Sequence, residues 1–146
     1  MNINQLREQL IIDEGQVNEI YNDHLGYATF GIGHLVIEGD PELGAPIGTP
    51  VSEERVIECF EKDVETVISD CKILHDGWDG YPEEAKQVIA NMMFNMGRTR
   101  LSKFKKHNAA LVCGDWKKAA VEGRDSRWYN QVTNRAERLM TRLENI

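Results

Sequence analysis

Between Val51 and Asp76 the chain has neither proline nor glycine, the longest stretch in the sequence that forms one uninterrupted element. Val56, Phe60, Val64, Val67, Cys71 and Leu74 recur there every three or four residues, the spacing of one helix face. Ser52 stands where an N-cap is needed, and Glu53 and Glu54 fall in the first turn, which the helix dipole favours. The pattern predicts one helix of about 23 residues, about 35 Å long at 1.5 Å per residue. A rod of that length can join two lobes, so the rest of the chain is read as what packs at either end.

Upstream, Ile3, Leu6, Leu10 and Ile11 predict a helix over 3–13, stopped at Gly15. Residues 17–22 and 28–33 are rich in β-branched and aromatic residues around a turn from Asp23 to Gly26, which predicts a hairpin. Gly31 and Gly33 weaken its second strand and mark a close approach, read as a strand lying flat under a polymer. Residues 38–50 hold three prolines and three glycines and read as loop. Downstream, Pro82 suits a first helical position and Gly97 a stop, and "EEAKQVIANMMFNMG" turns apolar nearly all round after Gln87, predicting a central buried helix. Further helices are expected near 102–112 and 115–123, the second capped by Asp115. "SRWYNQ" reads as a connector. A last helix over 134–144 has Thr133 as N-cap and Ala136, Leu139, Met140 and Leu143 inward.

Composition narrows the function classes. A chain of 146 residues that is 41% hydrophobic can bury a core. Its net charge of −7 argues against non-specific nucleic-acid binding. Acid concentrates in residues 13–84 and Lys and Arg in 98–142, so a local basic face remains open. No run of about 18 apolar residues exists, so no membrane span is expected. "MNINQLREQLIIDEG" lacks a basic stretch followed by an apolar core, so the expectation is accumulation in the cytoplasm of the producing cell. Cys59, Cys71 and Cys113 form no CxxC pair and are expected as reduced, buried thiols. No HExxH occurs, and neither a metal nor a cofactor is expected.

The chemistry-bearing stretch is "DEG" followed by "IYNDHLGYATFGIGHL". Glu14 and Asp23 are nine residues apart, and a helix end followed by a hairpin can set two carboxylates across one gap. Thr29 can return beside Asp23. Glycoside hydrolysis needs one carboxyl to protonate the leaving oxygen and one carboxylate to activate water or attack. Spacing alone fits a solvated surface equally well.

The stretch resembles the catalytic segment of the phage lysozymes, the endolysins of glycoside hydrolase family 24. Glu14, Asp23, Gly26, Thr29, Gly31, Gly33 and His34 fall at that family's spacings. "FEKDVETV", "NMMFNMG" and "SRWYNQVTNRAERL" resemble further family segments, in order across residues 3–143. The resemblance implies an α+β, mainly α, two-lobed lysozyme-like fold. A small β-hairpin lobe of about 14–51 would join, through a helix of about 52–75, a helical lobe of about 82–146 that includes the helix 3–13. It implies Glu14 as general acid, and Asp23 with Thr29 positioning water for an inverting reaction. It further implies Arg135 against Glu14, a structural pair of His34 and Asp63, and Leu35, Phe94 and Asn95 along the sugar cleft. The implied substrate is peptidoglycan, cut between N-acetylmuramic acid and N-acetylglucosamine by a monomer released through a holin-type pore.

Four departures accompany the resemblance. The stretch between His34 and Phe60 is short, the end "MTRLENI" lacks an aromatic tail, position 25 is Leu, and the chain is acidic. Open alternatives are a wall-binding protein that has lost catalysis, a lysozyme serving infection or bacterial competition, and a chitin-cleaving relative. Met92, Met93 and Met96 read as core, His24 as a solvated turn residue, and Arg127 and Trp128 as structural.

Overall fold

The computed structural model describes all residues, 1–146. It is α+β and mainly helical, with three short antiparallel strands near the N-terminus and eight helices. The chain divides into two compact units, one of residues 7–66 and one of residues 1–6 with 67–146.

In the unit of residues 7–66, α1 (Ile3–Glu14) enters from the other unit and stops where Gly15 takes φ 71° and donates its N–H to Ile11 O. Strands β1 (Val17–Asn22), β2 (Ala28–Gly31) and β3 (His34–Leu35) follow in sheet order β1-β2-β3. The expected hairpin is thus a three-stranded meander. β2 ends at Gly31 because Gly31 and Gly33, at φ 65° and 64°, turn the chain back within two residues. The two glycines build a reversal, not the flat strand read from the sequence.

The register sets one row of side chains across the sheet. Tyr21 pairs with Thr29, and Thr29 with Leu35, so all three project from the same face. The neighbouring row, Phe30 and His34, projects from the opposite face, with ring centroids 4.9 Å apart. Ile20, Phe30, Ile32, Val51, Val56, Phe60 and Val64 form the core here. The loop 38–50 closes on the outer edge of β1. Ile20 N–H donates to Thr49 O (3.0 Å), Gly48 N–H to Ile20 O (2.7 Å) and Val51 N–H to Asn18 O (2.9 Å). Pro50, which has no N–H to give, sits opposite Glu19.

α2 (Glu53–Leu74) matches the long helix predicted, with Ser52 Oγ accepting from Arg55 N–H at 3.1 Å. In the unit of residues 1–6 and 67–146, α3 (Glu83–Met96) is the buried helix expected, Met92, Met93 and Met96 lying in its core. Pro82 is its N-cap, one residue before the first helical position. The region 102–112 is two helices, α4 (Arg98–Ser102) and α5 (Lys105–Val112), parted at Lys103 and Phe104, where Phe104 leaves helical geometry at ψ 60°. α6 (Trp116–Arg124) begins at Asp115, whose carboxylate accepts from Lys118 N–H at 3.1 Å.

"SRWYNQ" is not a plain connector. Ser126 caps a short α7 (Arg127–Gln131) by accepting from Tyr129 N–H at 3.1 Å. Thr133 is the first residue of α8 (Thr133–Glu144), not its cap, since Val132 takes the N-cap position. Ala136, Leu139, Met140 and Leu143 are all buried, as the period predicts. Cys59 and Cys71 are buried, but Cys113 is exposed, because it follows the last residue of α5.

Candidate active site

Glu14 is the last residue of α1, and its carboxyl lies over the β2–β3 turn. A methyl group built at Gly33 would come within 2.7 Å of Glu14 Oε2 and 3.0 Å of its Cδ. No residue with a side chain fits under Glu14 without displacing it. The signal in the sequence was the pair of glycines, and the reason for the second is this contact.

Asp23 opens the turn between β1 and β2. One of its oxygens, Oδ1, accepts from Leu25 N–H and Tyr27 N–H, both at 2.9 Å, while its own N–H donates to Tyr27 O at 2.9 Å. This ties the carboxylate by one oxygen and leaves Oδ2 without a protein donor. Thr29, buried in the Tyr21–Thr29–Leu35 row, donates its hydroxyl proton to Tyr27 O at 3.0 Å. With the proton committed there, the lone pairs of Thr29 Oγ1 are acceptors. Tyr21 belongs to the same locality. Burial first, then the negative charge of Glu14 and of Asp23, holds its phenol above the usual tyrosine range.

His34 faces the opposite side of the sheet and pairs with Asp63, as expected, through Nδ1 at 2.7 Å. Its Nε2 meets Asp40 Oδ2 at 2.9 Å. Only an imidazolium can donate from both nitrogens at once. Burial pulls His34 down, but the bonds to Asp63 and Asp40 outweigh it, and its pKa lies above the ordinary imidazole value. Asp40 also accepts from Ile37 N–H (3.0 Å) and from Arg55 (3.3 Å), and Arg55 grips Glu42 at 2.9 and 3.0 Å. His34 therefore fastens the 38–50 loop to α2. Sequence reasoning missed Asp40, Glu42 and Arg55, since charges in a loop and on a first helical turn read as solvated.

Three further site candidates lie in the other unit. Arg135, on α8, donates from Nε to Asn91 Oδ1 at 2.9 Å and from Nη2 to Asn91 O at 3.4 Å. Asn91 is buried on α3 and was not singled out, although an amide in a helix otherwise apolar all round was the available signal. Asn95 accepts the buried indole N–H of Trp128 at 2.7 Å, so its Oδ1 is engaged and Trp128 is structural. Phe94 beside it is half-buried. Leu35, in the first unit, is 46% exposed and open to a ligand.

No three His, Cys, Asp or Glu side chains cluster as a metal site would require. The comparisons with known proteins make the chain a glycoside hydrolase of the lysozyme class. Residues 12–145 match the family model described as phage lysozyme, and the chain belongs to that family. It is 32% identical, over 92% of its length, to the pre-baseplate central spike protein Gp5 of Enterobacteria phage T4, of which it spans about a quarter (26%). It is 29% identical to a probable T4-type lysozyme 2 of Dictyostelium discoideum, covering 97% of this chain and 95% of that one. It is also 30% identical, over 94% of its length, to the peptidoglycan hydrolase gp36 of Pseudomonas phage phiKMV, spanning 15% of that protein. No helix is long and apolar enough to cross a membrane.

Proposed function

We propose that this chain is a muramidase that hydrolyses the β-1,4 bond between N-acetylmuramic acid and N-acetylglucosamine in peptidoglycan. Glu14 is the general acid, and Asp23 and Thr29 hold the attacking water. The observation that carries this reading is the arrangement of acceptors on the meander. Asp23 Oδ2 has no protein donor, and Thr29 has given its proton to Tyr27 O. A water donating to both acceptors keeps a lone pair free for the anomeric carbon. Attack from that side while Glu14 protonates the leaving oxygen inverts the centre, and the family resemblance carries the same outcome.

In this reading Arg135 is a supporting residue held by Asn91, and Leu35 in one unit and Phe94 and Asn95 in the other are glycan contacts. Metal and cofactor have no role in the steps. The chain acts as a monomer, waits in the cytoplasm of the host bacterium and reaches the wall through a holin-type pore to lyse the cell. The lengths of two relatives favour a second role for the same chemistry. The spike protein and the peptidoglycan hydrolase are each several times longer than this chain, which fits a lysozyme unit working inside a larger assembly.

The test is release of reducing ends from purified sacculi. Wild type should release muramic reducing ends, and Glu14→Gln should lose activity by several orders of magnitude while staying folded. An unchanged rate in Glu14→Gln would end the assignment of Glu14 as the acid. Cleavage of chitin oligomers in preference to peptidoglycan would replace the substrate.

A further inference from the structure

Resting on the muramidase reading, we propose that Tyr21 is a sugar-contacting residue, its hydroxyl donating a hydrogen bond to an oxygen of the N-acetylated glycan beside the scissile bond. The register places it there. Tyr21 stands opposite Thr29 on the face that also carries Leu35, and two residues before Asp23. It shares that face with the acceptors of the proposed water site and with the exposed apolar side chain of Leu35.

The residue is half-buried, its hydroxyl remains open to solvent, and no protein group accepts its proton. A donor that water alone satisfies, on a face beside the proposed water site, can exchange that water for an acceptor on a ligand. The other groups of the locality, the two carboxylates and Thr29 Oγ1, offer acceptors. Tyr21 is the complementary donor, and the negative field of Glu14 and Asp23 keeps its proton in place. That field also selects the ligand. The ionised carboxylate of Asp23 disfavours an anionic group at this point and tolerates a neutral, oxygen-rich pyranose ring.

Tyr21→Phe removes the oxygen and keeps the ring. Calorimetric binding of a soluble tetrasaccharide from peptidoglycan is compared in two proteins that do not cleave it, Glu14→Gln and Glu14→Gln/Tyr21→Phe. The expected result is a Kd about tenfold weaker for the double variant, the value of one neutral hydrogen bond. In the Glu14-intact protein, KM should rise by a similar factor and kcat stay within about threefold, the mark of a contact present before the transition state. Melting temperatures should agree within about 2 °C. Equal Kd values overturn the proposal, as does a fall in kcat at unchanged KM. A wild type that releases no reducing ends ends the muramidase reading instead, and the binding comparison still decides Tyr21. A parent protein that binds no saccharide overturns the Tyr21 proposal, and reducing-end release by wild type alone decides the muramidase reading.

Discussion

Gly33→Ala separates the two demands made on this glycine. The first is conformational. Gly33 has φ +64°, and an alanine there is strained by about 1–2 kcal/mol. At about 2–4 °C per kcal/mol for a chain of this size, the melting temperature should fall by about 2–8 °C. The second is steric. The new methyl would stand 2.7 Å from Glu14 Oε2, whereas ordinary contact begins at 3.4 Å, so the carboxyl must retreat by about 0.7 Å. A displacement of about 1 Å in a reacting group costs about a hundredfold in rate, so kcat should fall between ten- and a hundredfold. Gly44→Ala is the control. Gly44 has φ +83°, but its added methyl would meet nothing within 4 Å. It should lose similar stability and keep its kcat. Reducing-end release from sacculi gives the rates, and circular dichroism the melting points. If the two variants lose the same activity, the contact with Glu14 does not position it. If Gly33→Ala is as active as wild type, the reasoning fails outright.

Two further predictions concern histidines shifted in opposite directions. Asp63→Asn leaves His34 with one carboxylate and should lower the melting temperature by about 4–8 °C, from about 2 kcal/mol for a partly buried charged hydrogen bond, with a smaller effect on kcat. Because the folded pKa of His34 is raised, its contribution is full below the unfolded value of about 6.5 and is lost as pH rises through the folded value. The gap between wild type and variant should therefore close on the alkaline side, and a gap that widens there would contradict the pairing. His75 is the reverse case. Burial, with the nearby His107, depresses it to about 4, so its contribution is full above about 6.5 and falls as pH drops towards about 4. His75→Gln should flatten the acid limb of the stability curve between those values. An unchanged limb would show that His75 does not titrate against folding.

Where periodicity carried the signal, the sequence was legible. The apolar stripe of α2 and the inward face of α8 emerged residue by residue, because a helix repeats its burial every turn and no proline or glycine interrupts it. Glu14, Asp23 and Thr29 were singled out as candidates through a resemblance, since two acids nine apart carry no period of their own. What escaped was set by partners distant in sequence. β3 is two residues long, too short for any alternation to register. α7 depends on one hydroxyl cap at Ser126, and the division between α4 and α5 on the dihedral angles of Phe104. Asp40 meets His34 only after the loop has folded back, and the acceptor for Thr29 is a backbone carbonyl that no side-chain pattern reports. Spacing read the scaffold well and the hydrogen bonds poorly.

The closure of the 38–50 loop on β1 has a consequence for how the chain behaves in company. An open strand edge is a template for another molecule's strand, and a route to swapped dimers and fibres. Here one border of the sheet is already occupied by the chain's own Thr49 and Gly48, with Pro50 offering no donor beside them. The other border is β3, whose two residues give little length for a foreign strand to grip. A sheet built this way offers no free edge of any length on which another strand could be templated.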